Sequence, residues 1–330
     1  MSNTEITLSR FENRGEGARE LIRAFRAGAM SPAVLICGAP GTGKATLARL
    51  LAQGLLCTAP GDRPCGVCKS CLRVMRGTHP DCLTYTLTPK DKSIKVEDHI
   101  RPLLKLLDRH PLEGERRAVL LPHAEMMTAA SQNALLKSLE ETQKGTWFLL
   151  TADNENTVLP TIRSRCRLIR LPPFKESEIC RALEDEGISA PQAELAASLS
   201  EGSLTAARAL AAREDLMQLK DTAVRQFLSC RGLNQYARQA AGLRNLKDQE
   251  DDVLWLMEQE IRLLMRRMAS GEPLPDWAEG PWENADPERC RRVLGMILET
   301  QRMRRFNVGA QGALDNLIQQ LSEETDSWQT

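Results

Sequence analysis

The chain has 330 residues, enough for two or three domains, and its 44 basic and 44 acidic side chains cancel, so bulk charge gives no argument for a nucleic-acid or membrane partner. Residues Met1 to Thr7 carry neither the basic head nor the apolar core of a signal peptide, and no apolar run reaches membrane-spanning length, so the expectation is a soluble cytoplasmic protein without a membrane partner. Ten cysteines would suit a secreted disulfide scaffold, but in a chain this large, with several of them in one tight cluster, they point to metal binding instead.

In chain order, Ala18, Leu21, Ile22 and Phe25 recur at helical spacing, and the apolar run Val34-Leu35-Ile36 reads as a buried strand. The stretch Gly38-Ala39-Pro40-Gly41-Thr42-Gly43-Lys44-Ala45-Thr46 follows, and then a helix to about Leu56. Strand, glycine loop and helix form the context of a phosphate-binding loop. There, Gly38, Gly41 and Gly43 would let backbone N–H groups crowd a phosphate that Lys44 reaches. The hydroxyl that should follow the lysine on Mg²⁺ is replaced by Ala45, and Thr46 lies about 100° further round the helix, out of position to substitute.

Cys57, Cys65, Cys68 and Cys71 then fall as C-x7-C-x2-C-x2-C across a turn rich in Pro and Gly. Four thiolates at this spacing can converge on one tetrahedral Zn²⁺, and four protein ligands make such a site closed and structural. Cys37, Cys82, Cys166, Cys180, Cys230 and Cys290 are scattered and read as small apolar side chains. Further strands are expected at Cys82–Leu87, Ala118–Leu121, Trp147–Thr151 and Arg167–Leu171, with helices at Val96–Leu107 and Ser131–Glu141. Alternation of this kind predicts an α/β P-loop domain, residues 1–173, with a parallel five-stranded sheet and a zinc-binding insertion at 57–71. Beyond Pro172-Pro173 the strand signals stop. Short helical patterns at 176–186, 192–199 and 203–211 predict a small helical lid, residues 174–212, and residues 213–330 read as an all-α domain. Its stripes are Leu254, Met257, Ile261, Leu264 and Met268, then Val293, Leu294, Ile297 and Leu298 after a helix start at Asp286-Pro287, then Leu314, Leu317, Ile318 and Leu321.

A P-loop ATPase also needs an acid at the end of a neighbouring strand to hold Mg²⁺ and orient water. The strand at Ala118–Leu121 is followed by Pro122 and His123, and Glu125, the nearest acid, lies beyond the strand end. Pro122 offers no ligand and His123 is a poor one for a hard cation.

Taken together, Cys57 to Cys71, Gly77-Thr78-His79-Pro80-Asp81, Pro111-Leu112-Glu113-Gly114, Asn133 to Glu141 and Ser164-Arg165-Cys166 resemble the bacterial clamp-loader ATPase family of the AAA+ class. The resemblance is close over the first half and weaker, through Gly202-Ser203 and Asn307 to Leu321, over the second. In that family the motor subunit carries Asp-Glu where this chain has Pro122-His123, and an Arg where it has Thr205. With Ala45, the departures point to a non-catalytic subunit whose C-terminal helices form an oligomerising collar. The resemblance further implies that Arg165, between Ser164 and Cys166, projects as an arginine finger into a neighbour's ATP site. Partners so implied are the motor subunits and the delta subunit of a hetero-pentameric ring, with the sliding clamp and primer–template DNA reached through the assembly. Zn²⁺ is the expected cofactor. Binding of ATP or ADP is left open, with Lys44 and the loop amides retaining at most a phosphate site. Two other readings remain: an active clamp-loader ATPase, favoured by the intact glycines and Lys44, and a zinc-dependent DNA-binding protein, for which the cluster offers only Lys69, Arg73 and Arg76. Asn133 to Glu141 reads as an amphipathic helix with Leu135, Leu136 and Leu139 inside and Lys137, Glu140 and Glu141 outside.

Overall fold

The computed structural model describes residues 7–85, 87, 90–228, 249–278, 282, 286–305 and 310–326. It divides into two compact units: residues 1–187 with 200–208, and residues 188–199 with 209–330. The stretch expected as a lid is thus shared between the two. Cys230, Asn307 and Thr86 of the expected strand Cys82–Leu87 lie outside the described residues.

The first unit opens with helix α1 (Glu16–Arg26), strand β1 (Ala33–Cys37) and helix α2 (Lys44–Leu56). After helix α3 (Lys69–Met75) come β2 (Cys82–Thr84), a single π turn (Val96–Ile100) leading into α4 (Arg101–Leu107), and β3 (Arg117–Leu121). Then follow α5 (Ala129–Glu140), β4 (Thr146–Ala152), the one-turn α6 (Pro160–Arg163), β5 (Arg167–Arg170) and α7 (Glu176–Asp185). All strands run parallel in the order β2-β3-β4-β1-β5. The parallel five-stranded sheet predicted from the alternation is therefore present. Both of its faces are covered, one by a cluster containing Leu35, Val119, Leu121, Leu135 and Phe148, the other by one containing Ile22, Val34, Ile36, Leu47, Leu51 and Leu149. This is why the strands read as unbroken apolar runs: alternate residues face different but equally dry cores. Each fully buried Leu or Ile there contributes roughly 1.5–3 kcal/mol relative to exposure.

Register decides what meets what at the carboxyl edge. Cys37 is aligned with Ala152 of β4 and with Arg170 of β5, and Gly38 N–H donates to the Ala152 carbonyl at 3.2 Å. The residue after β4, Asp153, is thereby set beside the start of the glycine loop. At the end of β3, His123 adopts a left-handed conformation, φ 56°, and the chain reverses through a 3-10 turn at Ala124–Met126.

The second unit is helical. It comprises α8 (Ala190–Leu199), the end of α9 (Leu204–Ala211), α10 (Leu216–Asp221), a π turn at Thr222–Leu228, and the helices Glu250–Ser270, Pro287–Arg305 and Ala310–Asp326. Leu254, Met257, Ile261 and Leu264 are buried as their stripe predicts, against Val293, Ile297, Leu317, Ile318 and Leu321. Leu298 is the exception at 39% exposed; it lies one position past Ile297, about 100° round the helix and off the buried stripe. Buried Glu260 accepts from Trp277 Nε1 at 2.7 Å and pairs with Lys220 Nζ at 3.2 Å. Asp286 Oδ1 accepts from Arg289 N–H at 2.7 Å, the N-cap expected of Asp286-Pro287. Among the described residues no helix is long and apolar enough to cross a membrane.

Candidate functional site

The glycine loop joins β1 to α2, as the sequence predicts, but its lysine is engaged by the chain's own groups. Lys44 Nζ, only 8% exposed, lies 2.5 Å from Asp153 Oδ1 and donates to the Ala39 carbonyl at 3.2 Å. The ammonium that would reach outer phosphates is thus paired within the sheet domain. Gly41 O accepts from Leu204 N–H at 3.2 Å, and a Cβ built on Gly41 would fall 1.9 Å from Ser203 Oγ. Gly43 abuts the Phe11 ring in the same way, at 3.0 Å. Thr42, wholly buried, turns its hydroxyl onto the Ala39 carbonyl at 2.8 Å.

Arg14 fastens this arrangement from below. Its guanidinium is 3% exposed, stacks 3.4 Å over the Phe174 ring, donates to the Pro172 carbonyl at 2.6 Å and reaches the Thr42 carbonyl at 3.5 Å. Burial pulls its pKa down, and the Glu178 carboxylate, 3.2 Å away, opposes that and keeps it charged. One side chain therefore ties the loop to the strand end and to α7.

Pro122 and His123 fall at the end of β3, where a phosphate-loop ATPase would place its metal-binding acid. Pro122 contributes its carbonyl to the Tyr85 hydroxyl, and His123 Nδ1 faces Glu125 Oε1 at 3.1 Å. Glu125, which sequence order places beyond the strand, is brought back by the 3-10 turn, so that its other oxygen accepts from Asp153 N–H at 3.2 Å. Asp153, Ser203 and Arg14 were not legible as site residues. For Asp153 the available signal was an acid directly following the apolar run of β4, whose meaning depends on β4 lying next to β1.

The four cysteines do converge. Their Sγ atoms all lie within 4.8 Å of one another, with Cys57–Cys68 at 3.9 Å and Cys65–Cys71 at 4.0 Å. A tetrahedron with metal–sulfur bonds of about 2.3 Å has edges of about 3.8 Å, so the donor set fits a metal ion with little adjustment. Cys57 ends α2 and Cys68 caps α3, whose first turn supplies Cys71. Cys68 and Cys71 N–H groups donate to the Cys65 and Cys68 sulfurs, each at 3.4 Å. Burial alone would raise the Cys68 thiol, but N–H groups of Cys71 and Thr58 and the adjacent thiols bring it below the ordinary thiol range.

The neighbouring motifs brace this module. Asp81 accepts from Leu112 and Glu113 N–H at 2.7 and 2.8 Å, and Arg73 of α3 grips Glu113 through both carboxylate oxygens at 2.6 and 2.7 Å. His79 links Asp81 N–H, at Nδ1, to the Ser70 hydroxyl, at Nε2, while Ser70 donates to the Leu56 carbonyl.

Arg165 projects from the turn between α6 and β5. Cys166 is buried and anchors the turn, and Gln132 of α5 fixes its approach by accepting from Leu159 N–H at 2.7 Å. The Arg165 side chain is 33% exposed and bonded within the chain: Nε donates to Glu140 Oε1 at 2.7 Å, Nη2 contacts the same oxygen, and Nη1 donates to the Thr161 carbonyl at 2.9 Å. Glu140, read from sequence only as an outward residue of α5, is thus its partner; Leu135 and Leu139 are buried as expected and Leu136 is half-buried.

The profile of the family described as DNA polymerase III, delta subunit, matches residues 15–175. The delta-prime subunit of DNA polymerase III from Escherichia coli K12 is 39% identical over 208 residues, 60% of this chain and 62% of that protein. DNA polymerase III subunit tau of the same organism is 35% identical over 197 residues, 58% of this chain and 30% of tau. Among solved structures, a gamma subunit-related protein of Thermotoga maritima aligns at 18% identity with a TM-score of 0.44, over 92% of this chain and 99% of that one. The match thus spans less than two thirds of the delta-prime relative's length. The chain is similar to the delta-prime subunits of bacterial DNA polymerase III.

Proposed function

We propose that this chain is a non-catalytic subunit of a bacterial replicative clamp loader, an AAA+ assembly in which it completes a ring with motor subunits and a delta subunit. The observation that carries this reading is the glycine loop filled from within: Lys44 is paired with Asp153 and Gly41 is backed by Ser203. A nucleotide whose phosphates drew on Lys44 would have to break its ion pair with Asp153, and would find Ala45 and Pro122 where metal ligands are required. Gly38, Gly41, Gly43, Lys44 and Thr46 are then a vestigial phosphate loop that holds the domain together. The competing reading as an active ATPase has the intact glycines in its favour, but they serve packing here.

In this reading Cys57, Cys65, Cys68 and Cys71 hold one structural Zn²⁺, which fixes α3 to the end of α2 and leaves no open coordination position for chemistry. Arg165, with Ser164 and Cys166 setting its turn, supplies positive charge to the phosphoryl group transferred in a neighbouring subunit's site, a contribution of about 10³- to 10⁵-fold for arginine fingers in GTPases. The helical unit supplies the collar, and the clamp and primer–template DNA are met only through the assembly. The test is to assay ATP turnover by the purified chain alone and after mixing with the motor subunit. No turnover alone, with co-assembly and clamp- and DNA-stimulated ATPase in the mixture, is expected; metal-dependent turnover by the isolated chain would overturn the reading.

A further inference from the structure

We propose that Glu140 is a positioning residue for Arg165: it holds the guanidinium stowed against this chain, and a neighbour's nucleotide phosphates must displace it before the arginine acts. The inference rests on the trans role proposed above for Arg165.

The guanidinium is not free to greet a ligand. Bidentate recognition of a phosphate uses one flat edge of the fork, and here the Nε and Nη2 edge is turned onto Glu140 Oε1 while Nη1 is drawn back to the Thr161 carbonyl. Ser164 Oγ lies 3.4 Å from Nη1 and closes the same side. Every one of these partners belongs to this chain, so an outside anion that takes the Nε and Nη2 edge must exchange with Glu140.

The location of Glu140 is the second observation. It is the last residue of α5, and Glu141 follows it at the C-cap. Carboxylates are disfavoured at the negative end of a helix dipole, where lysine or arginine is the locally stable choice. A residue that breaks the local rule while its side chain remains 48% exposed is not there for packing; its one ionic partner among the described residues is Arg165. Pairing offsets the dipole cost at rest, and losing Arg165 to a phosphate gives that stabilisation up. The carboxylate therefore opposes engagement, and because the pair is exposed its influence is small: a factor of about two to five in an equilibrium. A triphosphate, with more charge than one carboxylate, can win this exchange, whereas water and simple chloride cannot.

The test is made in the reconstituted complex with Glu140→Gln, Glu140→Asp, Arg165→Ala and the double variant Glu140→Gln/Arg165→Ala. Glu140→Gln should raise clamp- and DNA-stimulated kcat/KM for ATP about two- to five-fold at low salt. The gain should shrink as salt screens the pair, should be absent in the Arg165→Ala background, and should be undone by the Glu140→Asp variant behaving as wild type. Unfolding temperature should not move, since both partners are exposed. An unchanged or reduced kcat/KM in Glu140→Gln, with Arg165→Ala still impairing the complex, overturns the stowing role alone. Arg165→Ala without effect overturns the finger reading on which it rests.

Discussion

Removing the carboxylate of Asp153 probes the filled loop at its most charged point. In Asp153→Ala, Lys44 keeps its buried position but loses an anion 2.5 Å away. At an effective dielectric constant of about 20 the gross attraction at that distance is about 6–7 kcal/mol. Most of this is offset by the desolvation that the pair already bears, and Asp153 is 39% exposed, so water can move into the space its carboxylate leaves. The full penalty of orphaning a buried charge, about 3–5 kcal/mol, is therefore reduced to about 1–3 kcal/mol. The Ala39 carbonyl retains its hydrogen bond from Nζ and cannot replace the lost charge. For a domain of this size each kcal/mol moves the midpoint by about 2–4 °C, so calorimetry should find the sheet domain's transition lowered by about 2–12 °C. A shift below 1 °C would refute the claim that Lys44 is held by Asp153 and reopen the loop as a phosphate site.

Gly41→Ala places a methyl group where Ser203 Oγ already sits and requires a non-glycine residue at φ +79°; Ser203→Gly in the same chain should relieve the clash but leave about 1–2 kcal/mol of conformational cost in urea unfolding. The cysteine cluster should retain one Zn²⁺ per chain in native mass spectrometry, and Cys68→Ser or chelation should open residues 57–71 to protease, because a closed site of this kind contributes its binding energy directly to folding. Asp286→Ala should lower the urea midpoint of the helical unit near neutral pH. The N–H groups of Arg289 and Glu288 hold the Asp286 carboxyl below its ordinary 3.8, so this contribution is present above the unfolded value and lost as pH falls through the lower folded one; wild type and variant should converge in acid.

Much of this was legible in the residues. Strand runs such as Val34-Leu35-Ile36 are apolar because they are covered on both faces, so periodicity found the sheet, and the C-x7-C-x2-C-x2-C spacing found a cluster whose sulfurs meet within 4.8 Å. What escaped were partners supplied by tertiary neighbours. Asp153 meets Lys44 only because β4 lies between β3 and β1, an order no local pattern reveals. Ser203 and Phe11 reach the loop from distant parts of the chain, and their contacts appear in the sequence only as the glycines that make room for them. Glu140 looked like an ordinary outward residue of an amphipathic helix, although its place at the helix end was a local inconsistency that invited a reason. The division of residues 174–212 between two units was hidden for a similar cause: short helices are assigned by what they pack on, and 200–208 packs with the glycine loop.

If, as proposed, this chain's chemistry is exerted in a neighbour through Arg165, its own loop is dispensable for turnover. The most direct test is the clamp- and DNA-stimulated ATPase of a complex reconstituted with Arg165→Ala, compared with one carrying Lys44→Ala and with wild type. Assembly should be intact in all three, with stimulated turnover lowered by at least ten-fold for Arg165→Ala and, once the complex has formed, near wild-type for Lys44→Ala. The reverse pattern, with turnover lost on replacing Lys44 and kept on replacing Arg165, would contradict this reading.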